Sequence, residues 1–315
     1  RQVIRFNSTF VEVMDSWEFI RGRATALALP MWAALFFAIF MFLFFMYSLY
    51  FKQVYWSVAV FSCLTIGLGY LVYSNYKMAK YDLFGYTHYP IRFNRKTQKV
   101  YAFSPQQQKI IEPNWQDLRF SAVQEGRFDI ELRASLINAD NIVEEEIIFP
   151  YISFDNNDLI DQHLAFFKAY MQGDDLKSIN AAIPEFFDVY NRKESFKETF
   201  ERVYMQFDGE EIIQQTRPVE RDNGIATVAF PLFSLIILRR LGVYFSKIPQ
   251  WPTHIEKECQ IDSNDPYNST GKQRHLAPLV FTSTEKFILF LGCLVGTIIF
   301  IAFLAGLAYL SWNYR

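Results

Sequence analysis

The chain has 315 residues, with 31 Lys plus Arg against 33 Asp plus Glu, and only three cysteines. A net charge of −2 excludes the basic footprint of a nucleic-acid-binding protein. Three scattered cysteines exclude a disulfide framework and suit a reducing compartment.

Residues 1–23 form a short N-terminal segment. Two apolar blocks follow, Ala24–Tyr50 and Val54–Tyr73, separated by a few residues that include Lys52, and they predict a helical hairpin over 24–75. A third block, Phe287–Trp312, lies near the other end of the chain. None of the three holds a charged side chain, and each meets the roughly 20 residues needed to cross a ~30 Å hydrocarbon core. They predict three transmembrane helices. Ala24–Tyr50 is too long for a signal-peptide core and is read as retained. Arg21 and Arg23 precede the first block; Lys77, Lys80, Arg92, Arg95, Lys96 and Lys99 follow the second. The positive-inside rule then places the N-terminus and the long middle region in the cytoplasm and the C-terminus in the periplasm.

Residues 76–156 read as strand-rich. Ile91–Phe93 and Val100–Phe103 flank the polar turn Asn94–Gln98, Phe128–Leu132 alternates strictly, and Ile142–Phe154 is a strand region interrupted at Pro150. Short strands with short turns predict an antiparallel meander. Residues 157–223 read as helical: Asn157–Met171, stopped by Gly173, and a long helix Pro184–Phe207. Ile225–Phe245, within 224–247, carries Pro231, and its uninterrupted apolar run, Ile225–Leu238, is closed by Arg239-Arg240. It is expected to lie on or re-enter the membrane, with a buried helix of the globular part as the alternative. Residues 248–286 read as a polar linker.

No catalytic signature is present. Gly271-Lys272 lacks the upstream glycine of a phosphate loop, and no His-Glu-x-x-His or Gly-x-Ser-x-Gly run occurs. His254, Cys259 and His275 lack paired zinc spacing, and Asp262, Asn264 and Asp265 are turn formers rather than a calcium loop. The expectation is a non-enzymatic protein with no catalytic residue, cofactor or metal.

Binding is the remaining chemistry. Glu144, Glu145 and Glu146 with Asp155 and Asp158 form an acidic stretch suited to a basic protein partner. Arg92, Arg95, Lys96, Arg239 and Arg240 are expected at anionic headgroups. Gly292 and Gly296 form a small-xxx-small pair for helix packing within the monomer, near Gly67 and Gly69, with homo-oligomerisation as the second option.

The run Pro90-Ile91-Arg92-Phe93-Asn94-Arg95-Lys96, continued by Lys99-Val100-Tyr101 and with Trp115 downstream, resembles an uncharacterised family of bacterial inner-membrane proteins. Members of that family are often encoded beside type VI secretion effectors, and several look like immunity proteins. The same layout is similar to membrane-anchored pleckstrin-homology-like domains. The resemblance implies an α+β membrane protein with a cytoplasmic antiparallel-sheet, PH-like domain capped by Asn157–Met171. It also implies an immunity protein that binds a cognate type VI secretion toxin at the bacterial inner membrane. The alternative is a membrane-anchored scaffold that binds lipid or a resident membrane protein.

Overall fold

The fold is taken from a computed structural model. It describes residues 3–17, 21–52, 55–104, 109–125, 129–138, 140–154, 157–183, 186–207 and 225–270, and scattered positions between 283 and 298. The chain divides into two compact units. The first comprises Arg1–Arg21, Lys80–Glu194 and Val243–Ala277; the second comprises Gly22–Ala79, Ser195–Gly242 and Pro278–Arg315.

The first unit holds two antiparallel sheets. One contains β1 (Val3–Phe6), β2 (Phe10–Met14), β3 (Pro90–Asn94), β4 (Lys99–Ser104) and β5 (Lys109–Ile111), in that order. The other contains β6 (Leu118–Glu125), β7 (Asp129–Ile137) and β8 (Val143–Phe154). Asn7 closes the first turn: its Oδ1 accepts from the Thr9 and Phe10 N–H groups at 2.9 and 2.8 Å. Asn94 does the same for the β3–β4 turn, accepting from Lys96 and Thr97 at 3.0 and 3.1 Å, with Gln98 at φ 55°. Pro150 does not end its strand. The β7–β8 register shifts between Arg133↔Ile148 and Glu131↔Ile152, so the proline sits in a bulge on an outer strand, where a missing N–H is tolerated.

Strand alternation sends Phe6, Val11, Phe93 and Val100 to one face of the five-stranded sheet, in direct register. They join Trp115, Phe149 and Ile160, Phe167, Tyr170 of helix α3 (Asn157–Gln172) in the main core; α1 (Arg23–Lys52) and α2 (Tyr55–Phe84) precede it in the chain. Gly173 follows α3, and its N–H donates to Ala169 O at 2.8 Å. A Cβ added at Gly173 would stand 2.6 Å from that same oxygen. Gly173→Ala is therefore expected to cost about 1–3 kcal/mol through forced displacement, read as a lower midpoint of chemical unfolding. Helix α4 (Leu176–Ala182) is capped by Asp175, whose side chain accepts from the Ser178 N–H.

Two expectations for this unit change. Residues 186–195 are not helical; the Phe187 N–H donates to Val3 O at 2.9 Å, so this segment lies along the outer strand β1. The predicted long helix shrinks to α5 (Phe196–Phe207) of the second unit, which opens with a capping box: Ser195 N–H to Glu198 at 2.6 Å, and Glu198 N–H to Ser195 Oγ at 3.3 Å. The presumed polar linker is also built in. Its first part straps the second face of the five-stranded sheet, with Trp251, Ile255 and Cys259 packed on Phe10, Tyr89, Tyr101 and Phe103, and Tyr267 then packs against the main core. Helix α7 (Thr253–Glu258) lies in this strap, preceded by α6 (Ile225–Phe245).

The two apolar N-terminal blocks form α1 (Arg23–Lys52) and α2 (Tyr55–Phe84). Among the described residues, however, no helix is long and apolar enough to cross a membrane. The three-span membrane fold and its transmembrane helices are corrected accordingly; what the structure establishes is α+β with antiparallel sheets. Most of the Phe287–Trp312 block lies outside the described residues. The charges that supported an orientation also change role. Arg21 is buried, donating to the carbonyls of Asp82 and Tyr86 and to Ser246 Oγ.

Candidate functional site

The second face of the five-stranded sheet carries a row fixed by strand register: Arg5 opposite Glu12, Glu12 opposite Arg92, and Arg92 opposite Tyr101. Alternation alone would make this the solvent face. The strap covers it, so the charges must satisfy one another. Arg5 donates from Nε and Nη2 to Glu12 Oε2 at 3.2 and 2.6 Å, and Arg92 Nε reaches the same oxygen at 3.0 Å. Arg92 Nη2 stands 2.9 Å from it and donates to Glu256 of α7 at 3.2 Å. The Phe10 ring lies between the two guanidiniums, 4.9 Å from Arg5 and 4.4 Å from Arg92. Tyr190 covers Arg5 at 3.6 Å and Trp251 covers Arg92 at 4.6 Å, a cation–π stack that suits desolvated guanidiniums.

Burial raises the pKa of the Glu12 carboxyl, but Arg92 and Arg5 outweigh burial and bring it down to about 2. Burial likewise opposes the charged form of Arg92, and Glu12 and Glu256 more than restore it. A carboxylate held that low is a poor proton acceptor near neutrality. Farther along the strap, Tyr101 donates to Glu258 at 2.6 Å; burial and then this bond push the phenol up. Hydrogen bonds from Tyr101 and Lys99 hold Glu258 below the usual carboxylate range. The Cys259 thiol is raised by burial, against the pull of Arg92, and accepts from Asn94 Nδ2 at 3.4 Å. That is the signature of a packed thiol rather than a nucleophile. Beside Glu12 a hollow of about 430 Å³ opens, bounded in part by Tyr190, Trp251 and Glu256.

The residues singled out from sequence fall elsewhere. Arg92, expected at headgroups, is completely buried, and Arg239 is buried on a stripe of α6 with Ile236 and Val243. Arg92 is compensated by Glu12 and Glu256, and both side chains are buried, so neither faces a headgroup. Arg240 is half-buried; Arg95 pairs with Asp174 at 3.3 Å and Lys96 with Asp262 at 3.1 Å. Glu144 is exposed on β8, whereas Glu145 pairs with Lys109 and Glu146 with Arg133 at 3.4 Å. Asp155, Gly292 and Gly296 lie outside the described residues; Asp158 is on α3 with its side chain outside them. At Gly67 and Gly69 an added Cβ meets nothing within 4 Å; the glycines expected to pack on another helix, Gly292 and Gly296, are among those outside the described residues. His254 pairs with Glu112 at 2.9 Å, and among the described residues no His/Cys/Asp/Glu cluster could hold a metal.

Sequence reasoning missed Arg5, Glu12, Tyr190, Trp251 and Glu256. A signal for the first two was available: Val3–Phe6 and Phe10–Met14 alternate around the turn-forming Asn7-Ser8-Thr9, a hairpin pattern.

A family model, "Family of unknown function (DUF6708)", matches residues 70–263. No curated protein and no solved structure matches the chain.

Proposed function

We propose a role for a chain that belongs to the DUF6708 family of unknown function: it is a non-enzymatic immunity protein at the bacterial inner membrane that binds and neutralises a cognate type VI secretion toxin. The observation that carries this reading is the Arg5–Glu12–Arg92 row beside its hollow. Its acid is held ionised to about pH 2 and its thiol neighbour is packed, so the site supplies recognition chemistry rather than a base or nucleophile. The signature run that resembles immunity proteins supports it in a particular way. Ile91, Phe93, Val100 and Tyr101 are core residues and Asn94 closes a turn. The run therefore marks the fold, and recognition of a given toxin belongs to other surfaces.

Deletion of the gene in a strain carrying the neighbouring effector is the test. Survival beside effector-carrying siblings should collapse and return with the chain restored; unchanged survival overturns the proposal.

One observation favours a second reading, a scaffold that binds lipid or a resident membrane protein. Phe36, Phe40, Leu43 and Tyr47 of α1 and Ile66, Tyr70 and Tyr73 of α2 are exposed, Phe36 by 72%. Apolar area of that extent calls for an apolar partner. Co-sedimentation of the full chain with liposomes, without any toxin binding, selects the scaffold.

A further inference from the structure

The hollow beside Glu12 has a chemical polarity. Its wall includes Glu12, His88, Tyr190, Gln250, Trp251 and Glu256, whereas Arg5 and Arg92 do not line it. All four close guanidinium contacts fall on one oxygen of Glu12, Oε2, at 2.6–3.2 Å. Among the described residues, the hydrogen bond to the other oxygen, Oε1, comes from the Trp251 indole N–H, at a long 3.4 Å. A buried carboxylate oxygen with one long hydrogen bond has unused acceptor capacity, which is costly away from water. Glu256 is in a related position: Oε1 accepts from Arg92, and its side chain is 42% exposed at the mouth. The four charges sum to zero, but their order is not neutral. The negative ends of both ion pairs face the hollow.

We infer that the hollow receives one N–H-donating cationic side chain, a guanidinium or ammonium group of a partner protein, held between Glu12 Oε1 and Glu256 beside the Tyr190 and Trp251 rings. Its volume falls within the range for a small ligand or an inserted side chain. Among the described residues of the wall, an anion would meet two carboxylates and neither lysine nor arginine. The cation completes the acceptor capacity of Glu12 without displacing Arg5 or Arg92, because it uses the oxygen they leave. Aromatic walls suit such a group, since a cation is attracted to ring faces. The inference names the group a toxin inserts and rests on the toxin-binding reading for the identity of the partner, not for the site.

The test titrates the full chain with N-acetyl-arginine amide and N-acetyl-lysine amide, following tryptophan fluorescence and calorimetric heat. Neutral N-acetyl-citrulline amide and anionic N-acetyl-glutamate amide are the comparisons. At least one cation should bind, and bind more tightly than either comparison. Glu256→Gln should weaken it roughly tenfold, the loss of one charge-assisted hydrogen bond. Asn191→Asp, which adds a carboxylate to the wall, should strengthen it. Circular dichroism confirms that both variants fold. Binding of neither cation, equal binding of citrulline, preference for the anion, or indifference to Glu256→Gln overturns the inference. Cation binding in a chain that fails to protect cells would remove the toxin and leave the site; protection without cation binding would do the reverse.

Discussion

Glu12→Gln is expected to destabilise the protein by about 3–5 kcal/mol, because it leaves two buried guanidiniums without their shared counter-charge. The amide keeps the shape and one acceptor, so the loss isolates charge from packing. Among the described residues Glu256 pairs with Arg92 and not Arg5, and its partial exposure limits what it can restore. The pH dependence gives a second reading of the same group. The folded-state carboxyl lies at about 2, below its ordinary value of 4.5. Its pairing therefore stabilises fully above pH 4.5 and is lost as pH falls toward 2. Urea unfolding at neutral pH should show the large loss, and the decline in stability between pH 4.5 and 2 should flatten in the variant. A loss under about 1 kcal/mol, the size of an exposed pair, would contradict the buried network. Replacing Arg5, Glu12 and Arg92 together by apolar residues is expected to cost far less than Glu12→Gln, since the one charge that loses its partner, Glu256, is partly exposed to water.

Phe93→Ala should be comparably severe, at about 3–5 kcal/mol for a buried phenylalanine. The ring sits at the centre of the main core, stacked on Phe167 at 4.5 Å and on Phe149 at 5.7 Å, with Trp115 edge-on at 6.0 Å. It ties together the five-stranded sheet, β8 and α3. Phe93→Leu retains most of the volume and should lose well under half as much. Thermal unfolding of the two variants checks this. Equal losses would mean that the aromatic stacking, not the cavity, carries the energy.

Phe93 and its neighbour Arg92 alternate on one strand, β3, and with Glu12 they show what was legible in the sequence. Phe93 belongs to an apolar face that period-2 alternation reveals, and the β3–β4 hairpin, the α3 stop at Gly173 and the bounds of α6 follow from equally local signals. Arg92 and Glu12 carry the opposite lesson. Alternation assigns them to solvent, and nothing local says that a strap rich in Pro, Asn and Asp will cover that face. Their complementarity is a property of strand register, which links residues about eighty positions apart in the chain. Trp251 was hidden for the same reason, since a lone aromatic in a polar stretch has no periodicity. The break at residues 186–195 was obscured because Phe196, Phe200, Val203 and Phe207 continue at helical spacing beyond it. Strand β1 takes up that segment through a contact with Val3 that no local pattern encodes.

The pairing of Met14 with Pro90 has a consequence for synthesis. Everything from Asp15 to Tyr89 leaves the sheet and returns to the neighbouring position, so β2 and β3 form a hairpin with a very long excursion at its tip. Closure entropy grows only logarithmically with that length, so the excursion is thermodynamically tolerable. Its cost is temporal. On the ribosome the first two strands emerge with an ionised Glu12 and no Arg92, and they must wait while the apolar helices are made. At about 5–20 residues per second, that is an interval of several seconds in which a cellular factor can capture the helices before the sheet exists.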